Sequence, residues 1–156
     1  MPFANSNDFI TGRKPLRTPQ GAEVVAARFE IDLLTTDLVI NDIGVVGMLP
    51  AGTVPVALYY DSDDLDINAT PTVAASVGIL NATDTALSTA TADCGAVWGS
   101  GILTSQAGGQ SAVVSKALSR VTSTAADRKI GVLFTAAAAT AVAGKLGLTM
   151  LYRNAA

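Results

Sequence analysis

The chain has 156 residues, of which 49% are hydrophobic, only 5% aromatic and 15% charged, with a net charge of -3 and no histidine. This length predicts one domain around a single core. Without histidine, Ser-His-Asp and Cys-His catalysis and histidine metal ligands are excluded, and the single Cys94 can form neither an internal disulfide nor a zinc site. The acidic balance is the wrong sign for neutralising phosphates, so we expect no nucleic-acid partner. The segments around Gly99-Ser100-Gly101 and Gly144-Lys145 match neither a dinucleotide-binding fingerprint nor a P-loop, so we expect no cofactor.

The mean hydropathy is positive, +0.41, which raises the question of whether a segment of the chain crosses a membrane. No stretch reaches the roughly twenty apolar residues that cross a bilayer, and residues 1–20 contain no apolar segment of the secretory-signal type. We therefore expect a soluble chain with no membrane partner. Its apolar surplus must still be buried, and contacts between subunits are the usual place for it, which predicts an oligomer or a larger assembly.

The first 22 residues are predicted to form an extended N-terminal arm ahead of one domain over residues 23–156. Three prolines and two glycines interrupt the arm, and it shows neither the helical nor the strand period. Two interpretations remain open, a frayed terminus or an anchor on a neighbouring subunit. The side chains that would serve as anchors are apolar: Phe3, Phe9, Ile10 and Leu16.

The largest basic cluster of the chain also lies on this arm and consists of Arg13, Lys14 and Arg17. Three charges on an exposed segment are either solvated or contact a partner. If they contact a partner, an acidic protein surface is the complementary one.

Alternation of apolar and polar residues predicts a succession of short strands after the arm. Residues 25–33 are apolar at every second position, as in a half-buried strand. Residues 50–52 supply a turn, and Pro55 just beyond them indicates a strand at a sheet edge. The predicted strands cover residues 25–33, 38–49 with a break at 41–42, 54–60, 73–79, 130–135 and 146–153.

The middle of the chain is less regular. A short helix is one interpretation of residues 84–92, although their threonines disfavour it. Residues 95–109 are rich in glycine and serine and predict a loop with one short extended piece at 102–106. Apolar residues at helical spacing over 114–121 favour a short helix, with a strand as the alternative.

The last two predicted strands, 130–135 and 146–153, are interpreted as antiparallel partners joined by a loop over residues 136–145. Six or more short strands with proline, glycine and aspartate corners are typical of an all-β protein. We therefore predict an antiparallel β-sandwich or a jelly-roll-like β-barrel.

The most charged segment of the chain contains Asp61, Asp63, Asp64 and Asp66. Alternate carboxylates after a strand can converge on calcium, but the spacing does not match an EF-hand loop. A solvated corner that protects a sheet edge is the alternative we favour. A glycosidase carboxylate pair is a third interpretation, which the adjacent Tyr59-Tyr60 supports only weakly.

Trp98 is the only indole, and its large apolar area predicts either a core residue, which we favour, or an interface anchor. Cys94 has no neighbouring base or cation in the sequence and is predicted to be an inert buried thiol. No catalytic constellation emerges from the sequence, so we expect a protein that is not an enzyme.

Several segments resemble small structural proteins of tailed bacteriophages that are encoded beside the major capsid protein. These segments are residues 47–56, 61–66, 77–81, 130–132 and 144–153. The resemblance implies a capsid decoration, or cement, protein with a β-sandwich or β-barrel fold. It also implies a homotrimer that is synthesised in the host cytoplasm, binds the major capsid protein on the outer surface of the virion and stabilises the mature lattice.

In proteins of this kind the N-terminal arm commonly reaches a neighbouring subunit or the capsid floor. We therefore expect residues 1–22 to contact the capsid, together with the loops that carry Asp61 to Asp66 and Trp98. Two alternatives remain open: a head-tail, neck or fibre-associated component of the virion, and a β-sandwich adhesin that binds carbohydrate or calcium through residues 59–66.

Overall fold

The structure, a computed structural model, describes residues 1–93 and 97–155. Its eight strands are β1 (Val24–Leu33), β2 (Ile43–Leu49), β3 (Thr53–Ser62), β4 (Ala74–Ile79), β5 (Gly99–Ile102), β6 (Gly109–Val113), β7 (Arg128–Ala136) and β8 (Gly144–Asn154). They form two antiparallel sheets, in the orders β1-β8-β3-β6 and β2-β7-β4-β5. The predicted β-sandwich is confirmed.

The core lies between the two sheets, where alternate side chains of each strand meet. β1 alternates exposed and buried residues without interruption, as its sequence predicts. The largest fully buried side chains come from both sheets and from the segment before β5: Phe29, Tyr60, Trp98, Phe134 and Tyr152. The predicted inward faces of β1, β4, β7 and β8 are therefore confirmed.

The predicted pairing of the last two strands is wrong. β7 lies between β2 and β4, whereas β8 lies between β1 and β3 in the other sheet. Their connection is a loop, as predicted, but it crosses from one sheet to the other. Alternation identifies which face of a strand is buried and leaves its hydrogen-bonding partner undetermined, so two buried strands in sequence look the same whether they pair or stack.

Pro55 marks a sheet edge only locally. β3 lies inside its sheet, between β8 and β6. β6, however, pairs with β3 only from Leu58 to Ser62, so the side of β3 at Pro55 lies outside this pairing. A bulge between Pro55 and Ala57 follows on the β8 side.

The middle of the chain contains less helix than its sequence predicts. Residues 84–90 form no helix: Leu87 makes an isolated antiparallel bridge with Leu80, and Asp84 has a positive φ of 57° rather than the conformation of a helix cap. The predicted helix over 114–121 is a single turn, α1 (Lys116–Ser119), capped by Ser115 Oγ, which accepts the Leu118 amide at 3.0 Å. Three 3-10 turns complete the described elements: Thr35–Asp37, Thr91–Asp93 and Thr104–Gln106. None of the helices in these ranges is long and apolar enough to cross a bilayer.

Candidate functional site

The arm lies along one side of the sandwich, where the edge strands β1 and β2 meet. Pro2 forms a parallel bridge with Ile43 of β2, and Asn7 Nδ2 donates to the Val46 carbonyl at 2.7 Å. Asn5 Nδ2 donates to a carbonyl near the end of β1 at 2.8 Å. The arm therefore covers parts of two strand edges that would otherwise be open to other chains.

Two phenylalanine rings fix the arm in place. Phe3 is buried in the core, with its ring centroid 5.7 Å from that of Phe134. A Cβ on Gly44 would overlap the Phe3 ring, so the glycine is what makes room for it. Phe9 packs edge-on against Phe29, with the centroids 5.0 Å apart. Both predicted anchors are thus buried or partly buried against their own domain.

The end of the arm is tied to β8. Tyr152 Oη donates to the Arg17 carbonyl at 2.5 Å, and Asn154 Nδ2 donates to the Pro19 carbonyl at 2.9 Å. Burial raises the pKa of the Tyr152 phenol, which keeps this donor protonated at neutral pH. The arm residues therefore pack onto β1, β2 and β8.

An exposed turn, residues 7–14, lies between these two attachments, and we call it the arm turn. Asn7 Oδ1 accepts the amides of Phe9 and Ile10 at 3.2 and 3.1 Å, which fixes the start of the turn. At its end, Lys14 Nζ lies 4.9 Å from the centroid of the Phe9 ring. The turn is thus held by its own contacts and by those of Asn7 and Phe9 with the strands, while its charged residues face solvent.

The predicted basic cluster is at the surface of this region. Arg13 is 78% exposed and lies 3.8 Å from Asp8, and Arg17 is 71% exposed and lies 3.3 Å from Glu23. Such exposed pairs contribute little to stability. Leu16 is partly buried against the core. The seven candidate residues of the arm are therefore spread along the sandwich, Phe3 near the end of β1 and Arg17 near its start, and the three charged groups are accessible.

Trp98 is not part of this group. Its side chain is fully buried just before β5, and its amide donates to the Val77 carbonyl at 2.8 Å. The burial favours the core interpretation of Trp98 over the interface one. Cys94, predicted to be an inert thiol, lies outside the described residues.

Asp66 is not the solvated side chain that its sequence context predicts. It is 1% exposed, and its carboxylate accepts four backbone amides at 2.7–3.2 Å. Burial raises the pKa of this carboxyl, but the four donors outweigh it and bring the pKa down to about 2. The donors come from two separate loops: Thr72, Val73, Ala139 and Thr140.

The other three aspartates of this segment have different partners. Asp61 contacts Arg28, Asp63 Oδ2 accepts the Lys145 amide at 2.7 Å, and Asp64 Oδ1 accepts the amide of residue 66 at 3.1 Å. Across the described ranges, 1–93 and 97–155, no three acidic or cysteine side chains are grouped to hold a metal ion. The carboxylates diverge and act as structural acceptors, so the geometry lends no support to the calcium interpretation.

A ladder of ion pairs, which no local sequence pattern predicts, crosses the outer face of the β1-β8-β3-β6 sheet. Arg28 binds both carboxylate oxygens of Asp61 at 2.5 and 2.9 Å, and Lys145 bridges Glu30 and Asp32 at 2.8 Å each. The Asp61 hydrogen bond raises the pKa of Arg28, and the Lys145 hydrogen bond lowers that of Glu30. Only the strand register brings these distant residues side by side.

The ladder and the arm turn together border a polar cleft of about 410 Å³. Asp8 and Lys14 line it on the arm side, and Arg28, Glu30 and Lys145 line it on the sheet side. The lining of this cleft is thus mostly polar and charged.

These features define the class of the molecule, a small β-sandwich whose arm covers part of one side. No protein-family model and no curated protein matches the sequence. A chain in the capsid of Ralstonia phage GP4 is 30% identical, with a TM-score of 0.80 and 96% of each chain covered. The chain belongs to the same family as this capsid chain, which supports a structural, non-enzymatic role in a virion.

The fold also occurs in a second phage structure. A chain in the capsid asymmetric unit of cyanophage Pam1 is 20% identical, with a TM-score of 0.63, over 97% of this chain and 99% of that one. At this identity the similarity concerns the fold alone.

Proposed function

We propose that this protein is a capsid decoration protein, which binds the major capsid protein on the outer surface of a phage head and stabilises the mature lattice. The observation that carries the proposal is the 30% identity to the GP4 capsid chain over 96% of both chains. The resemblance of the turn and strand segments to proteins encoded beside the major capsid protein supports it independently. The proposed assembly is a homotrimer, made in the host cytoplasm.

The arm turn, together with Arg17 just beyond it, is the proposed contact with the capsid. Arg13, Lys14 and Arg17 present three positive charges that complement an acidic capsid surface. Phe3 and Phe9 would act indirectly, because their packing fixes the position of the turn. Ile10 and Leu16, partly buried beside the charges, would add apolar contact.

Stabilisation of the head follows from linkage. A protein that binds only the mature lattice adds its binding free energy to that lattice and to no competing state. Many copies bind one shell, and each contacts neighbouring capsomers. Their individually weak binding free energies therefore add up to a large stabilisation of the shell.

The location is tested by electron microscopy of virions that carry the protein with a small fused tag. Tag density at regularly spaced positions over the outer head is the expected result. Density at a single vertex, in the neck or on the tail would overturn the proposal in favour of a head-tail or fibre component.

The contact is tested by binding to capsids from which the protein is missing. The double variant Arg13→Glu, Lys14→Glu should bind at least tenfold more weakly, because it reverses the charge of the arm turn at two exposed positions. The matched control is Arg120→Glu, Arg153→Glu, which changes the same net charge at two other exposed positions. Equal binding by the two double variants would exclude the arm turn as the contact.

A further inference from the structure

The side of the sandwich opposite the arm has a different character. β5 and β6 are the last strands of their sheets, at the ends away from β2 and β1. They face each other across the sandwich, because a Cβ on Gly99 would lie 2.7 Å from Val113 Cγ1. We call this surface, residues 97–115, the β5–β6 side. It contains an open cleft of about 330 Å³.

The β5–β6 side lacks the cover that the arm gives to the other side. The arm covers parts of β1 and β2, whereas in the described part of the chain β6 has a strand on one side of its backbone only. Strand edges are usually protected by charged residues or proline. The stretch from Cys94 to Ser115 contains neither.

This side also exposes large apolar side chains. Val97, Leu103 and Val114 are 37%, 54% and 87% exposed, and Val114 is the most exposed large hydrophobic residue in the described ranges. An uncharged edge flanked by exposed apolar groups is typical of a surface that is covered in the assembled protein.

We propose that the β5–β6 side is where copies of this chain contact one another around a symmetry axis. Near an axis each residue meets its own equivalents, so a charged residue would face like charge, whereas an uncharged segment meets no such repulsion. The charged arm turn suits a partner of different sequence and the uncharged side suits a second copy. The inference rests on the proposed decoration role, because it names the surface through which the proposed oligomer forms.

Light scattering after size-exclusion chromatography tests the inference on the full chain. The wild type is expected to be an oligomer at micromolar concentration. Val114→Asp and Leu103→Asp should each shift it to monomer, because they place identical carboxylates close to the axis. The matched control is Ile40→Asp, at a residue that is 56% exposed in the β1–β2 connection, and it should leave the oligomer intact. Circular dichroism checks that each variant is folded.

A monomeric wild type, or Val114→Asp and Leu103→Asp variants that remain oligomeric, would overturn the inference. Capsid binding measured on the same proteins separates it from the proposed function. If the wild type is an oligomer that the two variants dissociate, yet it binds no capsid, the self-contact stands and the decoration role fails. If capsids bind a wild type that is monomeric in solution, the role stands and the self-contact fails.

Discussion

Asp66 shows how one side chain joins parts of the chain that are distant in sequence. Its carboxylate accepts amides from residues 72 and 73 and from residues 139 and 140, so it connects the loop before β4 to the loop between the two sheets. A buried carboxylate is costly unless it is fully hydrogen-bonded, and this one has four donors. The loop crossing that the sequence did not predict is held at this point.

We predict that Asp66→Asn lowers the free energy of unfolding by about 3 kcal/mol at pH 7. The side-chain NH2 group of asparagine would face backbone N–H groups, from which it cannot accept hydrogen bonds. Urea unfolding measures the change. The control is Asp64→Asn, an exposed position whose side-chain oxygen can still accept the amide of residue 66, and it should change stability by less than about 0.5 kcal/mol. Equal effects of the two variants would contradict the role of Asp66.

The same residue predicts a pH dependence. The pKa of Asp66 is about 2 in the folded protein against an ordinary value of 3.8, so the unfolded chain takes up the proton first as the pH falls. Its contribution is therefore complete above about pH 4 and is lost as the pH falls from about 4 to about 2. The stability difference between wild type and Asp66→Asn should narrow over that interval. A constant difference from pH 5 to pH 2 would exclude the depressed pKa.

At the scale of elements, the sequence identified the faces of the strands but not their neighbours. The alternation in β1, β7 and β8 is a local property, and it is confirmed. The placement of β7 and β8 in opposite sheets depends on contacts that no local pattern contains. The arm illustrates the same limit, because the prolines and glycines predicted its irregular backbone, while the fit of Phe3 beside Gly44 depends on the assembled core.

The arm contacts predict that Phe3→Ala loosens the arm more than it weakens the domain. Loss of the buried ring removes the main apolar contact of residues 1–5, so trypsin should cleave after Arg13 and Arg17 about tenfold faster, which corresponds to about 1.4 kcal/mol of opening free energy. Mass spectrometry of timed digests gives the rates.

Ile10→Ala is the control for this measurement, because Ile10 is a partly buried arm residue outside the Phe3 contact. Gly44→Ala should reproduce the effect of Phe3→Ala, since its methyl group would occupy the ring position. Unchanged cleavage in both of these variants would mean that the arm is held by other contacts.

At the scale of the whole molecule, charge is distributed unequally over the described surface. The arm side and the outer face of the β1-β8-β3-β6 sheet carry most of the ion pairs, and Arg128–Asp93 and Lys129–Asp84 lie at β7. The segment that forms the β5–β6 side has no charged residue. Composition alone predicted an apolar surplus that needs burial. The sheet order was needed to show that part of this surplus is concentrated on one side, opposite the arm.

This distribution predicts the behaviour of the protein near its isoelectric point of about 4.7. As the net charge falls to zero, repulsion between molecules disappears and the exposed apolar side promotes association. Turbidity should therefore peak near pH 4.7 while near-ultraviolet circular dichroism remains native, because Asp66 is still ionised there. Val114→Asp should reduce the peak more than Ile40→Asp does, although both add one negative charge. A peak that coincides with loss of the native spectrum below pH 4 would instead identify association of unfolded chains.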